Sequence, residues 1–280
     1  VIQKTTLFFL LISTHIFCYS QRSELGFFAG GSYYIGDLNP YKPYNCTHLA
    51  GGIFYRKNIN LRYAYRIGLN YGNVSASDSK SNVAYHQNRN LHFKSRIIEL
   101  GAIIEMNFIK YEPGRIDKFS YSPYLFTGLT YFNMNPMASL NGEWYDLQPL
   151  GTEGQGSSLN TRKKYNTNQV AIPLGIGFKY NLNKRLTFAL EYGIRKTFTD
   201  YLDDVSGNYV NNFDLLEQNG VLAAHFADQS INPENGYIAP NTGKPRGNSN
   251  NKDWYSFSGI TITIALGNPN TCSFQKAGRN

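Results

Sequence analysis

The residues of this 280-residue chain that could do chemistry are few, and their spacing serves it poorly. Gly151-Thr-Glu-Gly-Gln-Gly156 has the look of a phosphate-cradling glycine run. No Lys-Ser/Thr follows it and no strand-to-helix pattern frames it, so it reads as a flexible loop. His48, His86, His92 and His225 lack the spacing to Cys or carboxylates that a metal site needs. His225-Phe-Ala-Asp-Gln-Ser230 gathers a base, an acid and a hydroxyl, the kit of a hydrolytic nucleophile, but three such residues so close together are common by chance. Asp200, Asp203 and Asp204 carry the oxygens a hard cation wants, although a solvated acidic rim is the plainer expectation. No catalytic residue, metal or cofactor is assigned.

The composition narrows the fold. The chain is 41% hydrophobic, 15% aromatic and 16% charged, with 22 Tyr, 18 Phe, 2 Trp, 26 Gly and 3 Cys. Disordered chains are charge-rich and aromatic-poor, so disorder is excluded. Ala, Glu, Lys and Leu do not dominate, which excludes a coiled coil, and three cysteines exclude a disulfide-stapled module. Residues 1–20 place Lys4 before an apolar run from Leu7 to Phe17 and a Cys18-Tyr19-Ser20 cleavage site, the pattern of a secretory signal peptide with Gln21 as first mature residue. A buried apolar strand and a lipid anchor on Cys18 are the alternatives. Val1 in place of Met reads as an alternative start codon or a clipped record. No other segment approaches the run of apolar residues that a membrane helix requires.

The elements that must position any site are strands. Period-two alternation runs over 24–37, 48–58, 62–77, 93–109, 121–134, 169–181, 186–203 and 254–266. Each is long enough for a tilted membrane strand of ~9–11 residues. One face is aliphatic, as in Ile98, Leu100, Ala102, Ile104, Met106 and Phe108; the other is mostly Gly, Ala and Thr with a few ions. A small, sparsely charged face suits a narrow lumen better than a water-facing exterior. The expectation is an all-β, eight-stranded antiparallel transmembrane β-barrel of the outer-membrane type over 21–266, with its aliphatic face outward. Arg56, Arg66, Glu99, Glu105, Lys179, Glu191 and Arg195 then point inward as a structural charge cluster that fills the lumen.

Connections at 59–61, 110–120 and 182–185 are short, whereas 38–47, 78–92, 135–168 and 204–253 are long. That asymmetry predicts periplasmic turns and termini with long extracellular loops. Tyr33, Tyr34, Tyr63, Tyr65, Tyr131 and Trp254 near segment ends read as interfacial girdles. Cys46 falls in an outer loop and Cys272 in a periplasmic tail over 267–280, so the two would not pair. That tail carries Cys272, Lys276 and Arg279 and no acid, which offers a docking element for a partner. The part after residue 20 has 27 − 1 = 26 basic and 19 acidic residues, the single lysine before it being Lys4. The bases are scattered, so nucleic acid is not expected; membrane lipids, lipopolysaccharide or a periplasmic protein are.

Five stretches are similar to the PorG family, the outer-membrane barrel of the Bacteroidetes type IX secretion system. They are GGSYYIGDLNPY at 30–41, NLHFKSRIIELGAIIEMNF at 90–108, GEWYDLQPLGTEGQG at 142–156, RKTFTDYLDDVSG at 195–207 and NKDWYSFSGITI at 251–262. The resemblance implies a non-enzymatic component that ties the periplasmic PorK/PorN ring to the outer membrane, with no individual binding residue carried over. A small passive channel and a lipid- or peptide-modifying enzyme centred on His225 are the alternatives.

Overall fold

Alternating apolar and small residues build long, strongly paired strands. The computed structural model describes residues 23–42, 44–116, 120–231 and 241–266; the N-terminal leader and the tail with Cys272, Lys276 and Arg279 lie outside them. The strands are β1 Ser23–Ile35, β2 His48–Asn58, β3 Tyr63–Ser77, β4 His92–Asn107, β5 Tyr121–Leu140, β6 Glu143–Asp146, β7 Asn168–Asn181, β8 Leu186–Thr197 and β9 Trp254–Leu266. Each barrel strand pairs antiparallel with its neighbour in a meander. β1 closes on β9 over the whole register from Ser23↔Leu266 to Ile35↔Trp254, and β4 closes on β5. The result is a closed eight-stranded antiparallel β-barrel, with β6 paired only to the outer end of β5. Closure leaves the barrel without an open sheet edge.

The faces divide as the alternation requires. Along β4 every second residue from Phe93 to Asn107 is buried, while Ile98, Leu100 and Ile104 are exposed. Leu129, 67% exposed, shows how bare the outer surface is at mid-strand. The exterior from Ile98 to Met106 is uncharged, and at ~3.3 Å per residue and ~40° tilt it makes a belt roughly 20 Å tall. Among the described residues no helix is long and apolar enough to cross a membrane.

Most strands lie within two residues of expectation at either end; β5 and β8 depart by six. β5 continues to Leu140 because Asn141 and Gly142, at φ 53° and 88°, form the tight turn that sends β6 back along it. β8 stops at Thr197 instead of 203, since Thr199–Asp204 folds inward across the barrel mouth and Asp204 takes φ 66°. The long connections also hold short helices: α1 Ala84–Arg89, α2 Asn212–Asn219 and α3 Val221–Ala227.

Candidate functional site

The barrel interior is filled by ions and aromatic rings. All seven sequence-identified charges lie inside, and the structure adds an eighth, Glu24 on β1, whose position at the very start of the alternation hid it. Four cations therefore face four carboxylates. Glu105 is the hub: it takes Arg56 Nε at 3.0 Å and Lys179 Nζ at 2.8 Å, with Arg66 Nε at 3.5 Å. Glu191 accepts from Arg66 Nη1 at 2.7 Å and from the Tyr124 hydroxyl at 2.5 Å. Glu24 accepts from Asn58 and Thr263 at 2.9 and 2.6 Å. One layer towards the loops, Glu99 accepts Arg195 Nε at 3.0 Å, the Tyr255 hydroxyl at 2.7 Å and the Asn70 amide at 2.9 Å. Arg56 and Arg66 stand directly opposite each other on β2 and β3, a repulsive pairing that Glu105 and Glu191 neutralise.

The rings complete the plug. Lys179 lies 4.1 Å from the Tyr124 ring centre, and Arg66 sits between Phe54 and Phe126 at 4.9 and 5.2 Å. Glycine makes room for these rings: a Cβ on Gly26 would come within 2.2 Å of Phe54, and one on Gly175 within 2.2 Å of Phe126. At the turn end Tyr111 is fully buried and bonds Asn181 and Thr187. A cavity in the lumen, between Arg66, Glu191, Arg195 and Phe257, holds about 20 Å³. That is room for about one water, not for a conduction path.

A second buried network sits over the barrel mouth. Asp200, Asp203 and Asp204 are buried rather than forming a solvated rim. The glycine run at 151–156 is likewise no flexible loop: Thr152, Glu153 and Gln155 are buried, and Gly151, Gly154 and Gly156 take φ of 65°, 76° and 79° to turn the chain inward. Glu153 Oε1 accepts from Ser206 N–H, Gly207 N–H and Arg246 Nη1 at 2.9, 3.0 and 3.1 Å. Arg246 also donates to the Phe226 and Ala227 carbonyls at the C-terminus of α3 and to the Asp204 carbonyl. Arg89 grips Asp78 with two bonds of 2.7 and 2.8 Å and the carbonyls of Arg246 and Asp37 with two more. Together the two arginines latch all four long connections. Tyr34, expected in an outer girdle, instead faces this network and bonds Asp203 and Asp253. Tyr33 lies beneath the Tyr44 ring, bonded to Tyr192, while Tyr63 and Tyr131 are exposed.

The network must hold protons. Tyr34 has a single hydroxyl hydrogen but contacts two carboxyls, so one contact needs a proton from an aspartic acid. Burial raises both Asp203 and Asp253 well above the usual carboxylate range. Burial also pushes Asp200 up to about 7 and Asp204 to about 6. Neither Asp200 oxygen has a hydrogen bond of ordinary geometry, although Ser206 is near enough to temper the shift. Raised carboxyl values favour the latched cap below the ordinary value near ~4 and disfavour it progressively as pH climbs through about 6 and 7. Hydrogen exchange of the loops, corrected for intrinsic rate, should therefore show stronger protection at pH 5 than at pH 8. Asp200→Asn should flatten that difference.

No catalytic arrangement emerges around His225. Ser230 donates to Asp228 at 2.6 Å, whereas His225 packs edge-on against Phe226 and bonds neither of them. No group of His, Cys, Asp and Glu among the described residues is arranged to hold a metal ion. Cys46 is half-buried and receives the Lys80 ammonium at 3.2 Å.

A family described as DUF6089, a domain of unknown function, matches residues 3–223. The chain belongs to this family. No curated protein matches it. Among solved structures it is similar to Ail, the attachment invasion locus protein of Yersinia pestis, at 7% identity over 89% of this chain and 100% of that one, with a TM-score of 0.40. Neisserial surface protein A gives 9% identity, 88% and 97% coverage and a TM-score of 0.41. The outer membrane protein OprG of Pseudomonas aeruginosa gives 10%, 88% and 91%, with 0.31. At such identities the likeness is one of fold.

Proposed function

We propose that this DUF6089 chain is a non-enzymatic structural barrel of the bacterial outer membrane, which ties a periplasmic assembly to that membrane. The observation that carries the reading is the lumen filled by eight charges and their aromatic seats, around a cavity of about 20 Å³. A barrel plugged in this way serves as a platform, and the plug weighs against the passive-channel alternative. The His225 geometry weighs against the hydrolase. In the orientation proposed, the termini and short turns are periplasmic and the latched loops extracellular.

The resemblance to the PorG family supplies the finer assignment, a type IX secretion component whose partner is the PorK/PorN-like periplasmic ring. Contact would be made through the turns and through the tail with Cys272, Lys276 and Arg279, leaving membrane lipids and lipopolysaccharide around the belt. The five stretches that carry the resemblance supply the cap residues Tyr34, Asp37, Glu153, Asp200, Asp203, Asp204 and Asp253, whereas Asp78, Arg89 and Arg246 lie outside them. Tagged full-length protein should co-purify a periplasmic ring lipoprotein, deletion should abolish secretion, and purified protein should show no steady conductance in planar bilayers. Intact secretion after deletion would sink the secretion role, and a stable open channel would sink the platform reading.

A further inference from the structure

Both tryptophans of the chain sit on the outer face at the loop end of the barrel, each beside a lysine. Lys196 pairs across β8 and β9 with Trp254, its ammonium 5.7 Å from the ring centre; Lys94 lies 5.7 Å from Trp144. Neither ammonium has a carboxylate partner among the described residues, and Arg96, on the same face of β4 as the half-buried Lys94, is exposed. Beside Trp254 the surface dips into a hollow of about 410 Å³, lined by Lys196, Lys252, Trp254, Asn250, Asn251 and Asp37. Lys252 bonds only the Ser249 carbonyl, at 2.6 Å, so its remaining donors are open. Among the described residues Asp37 is the one carboxylate on the wall; its Oδ2 is engaged by the Asn248 N–H at 2.8 Å. Beneath the hollow the surface becomes the uncharged belt, with Leu190, Ile260 and Ile262 exposed.

We propose that this hollow binds the phosphate-bearing headgroup of an outer-leaflet glycolipid, with Lys196 and Lys252 on the phosphate and Trp254 at the headgroup–acyl boundary. Two ammonium groups that form no ion pair within 4 Å among the described residues, Lys252 feeling Asp200 only at longer range, stand above an apolar surface and match a ligand that is anionic at one end and hydrocarbon at the other. Side-chain amides of Asn250 and Asn251 suit sugar hydroxyls. The volume falls within the range of small-ligand pockets. The inference rests on the belt being lipid-facing, as the proposed function has it, and adds which lipid chemistry is selected.

Trp144→Phe leaves Trp254 as the only tryptophan, so its emission reports on the hollow directly. The full-length protein in neutral detergent is titrated with lipid A, with phosphatidylcholine and with inorganic phosphate. Lipid A is expected to produce a saturable change, weakened at least about tenfold by Lys196→Gln with Lys252→Gln, a loss equivalent to one factor of ten in affinity. Phosphatidylcholine and inorganic phosphate should produce none at matched concentrations. Equal titration of the double variant, or an equal response to phosphatidylcholine, would overturn the headgroup site; an equal response to inorganic phosphate would reassign it to free anions. Insertion into liposomes is scored in parallel. A chain that inserts but does not discriminate overturns this inference alone, whereas one that fails to insert overturns the membrane reading with it.

Discussion

Glu105→Gln should cost the barrel about 3–5 kcal/mol, the largest loss expected from any single lumen substitution. Glutamine keeps the volume and removes the charge on which Arg56, Arg66 and Lys179 converge. Those cations sit in a dry interior where Glu24 and Glu191 cannot neutralise all of them, and Arg56 then faces Arg66 across adjacent strands with half the screening lost. The cost is that of stranded charge, so it should shrink when the excess charge is also removed. Glu105→Leu combined with Lys179→Met should recover much of the loss, because a buried ion pair replaced by apolar groups of similar volume is often close to neutral. Glu217→Gln, on the exposed side of α2, should stay within about 0.5 kcal/mol. Urea unfolding of barrels folded into lipid vesicles, followed by the mobility difference between folded and unfolded forms, measures all three.

The barrel was legible because its alternation has one period and its two faces differ in chemistry. Ile98 to Met106 against Glu99 and Glu105 is readable one residue at a time, and the bounds of β2 and β9 match the alternation at both ends. What the alternation could not show was where a strand yields to another constraint. β5 runs on because Asn141-Gly142 makes a tight turn, a dipeptide signal that period-two alternation does not contain. β8 ends early because Thr199 to Asp204 joins a cap built from distant loops, and no local pattern marks that. The cap itself escaped for the same reason. Asp203 and Glu153 look like surface acids in sequence; they become core residues only once Arg89, Arg246 and Tyr34 arrive from three other segments. Glycine in 151–156 suggested mobility, whereas its left-handed turns serve to bury Glu153.

Arg246→Met should release the cap while leaving the barrel folded. The guanidinium holds Glu153, the Asp204 carboxylate and carbonyl and the two carbonyls that end α3, so its removal strands two buried carboxyl groups and several backbone acceptors together. Leaving a buried partner unpaired costs about 3–5 kcal/mol, but here the loss falls on loop packing, since none of these contacts crosses a barrel ladder. Protection against added protease should drop by about a hundredfold or more in 204–231 and 147–165, at one factor of ten per ~1.4 kcal/mol, while urea unfolding of the barrel barely moves. Glu153→Gln should act in the same direction, and the two together should cost less than their sum because they remove the same latch from opposite sides. Equal destabilisation of barrel and loops would mean that the cap and the barrel form one cooperative unit. The division of labour drawn from the geometry, a rigid plug below and a proton-sensitive latch above, would then have to be given up.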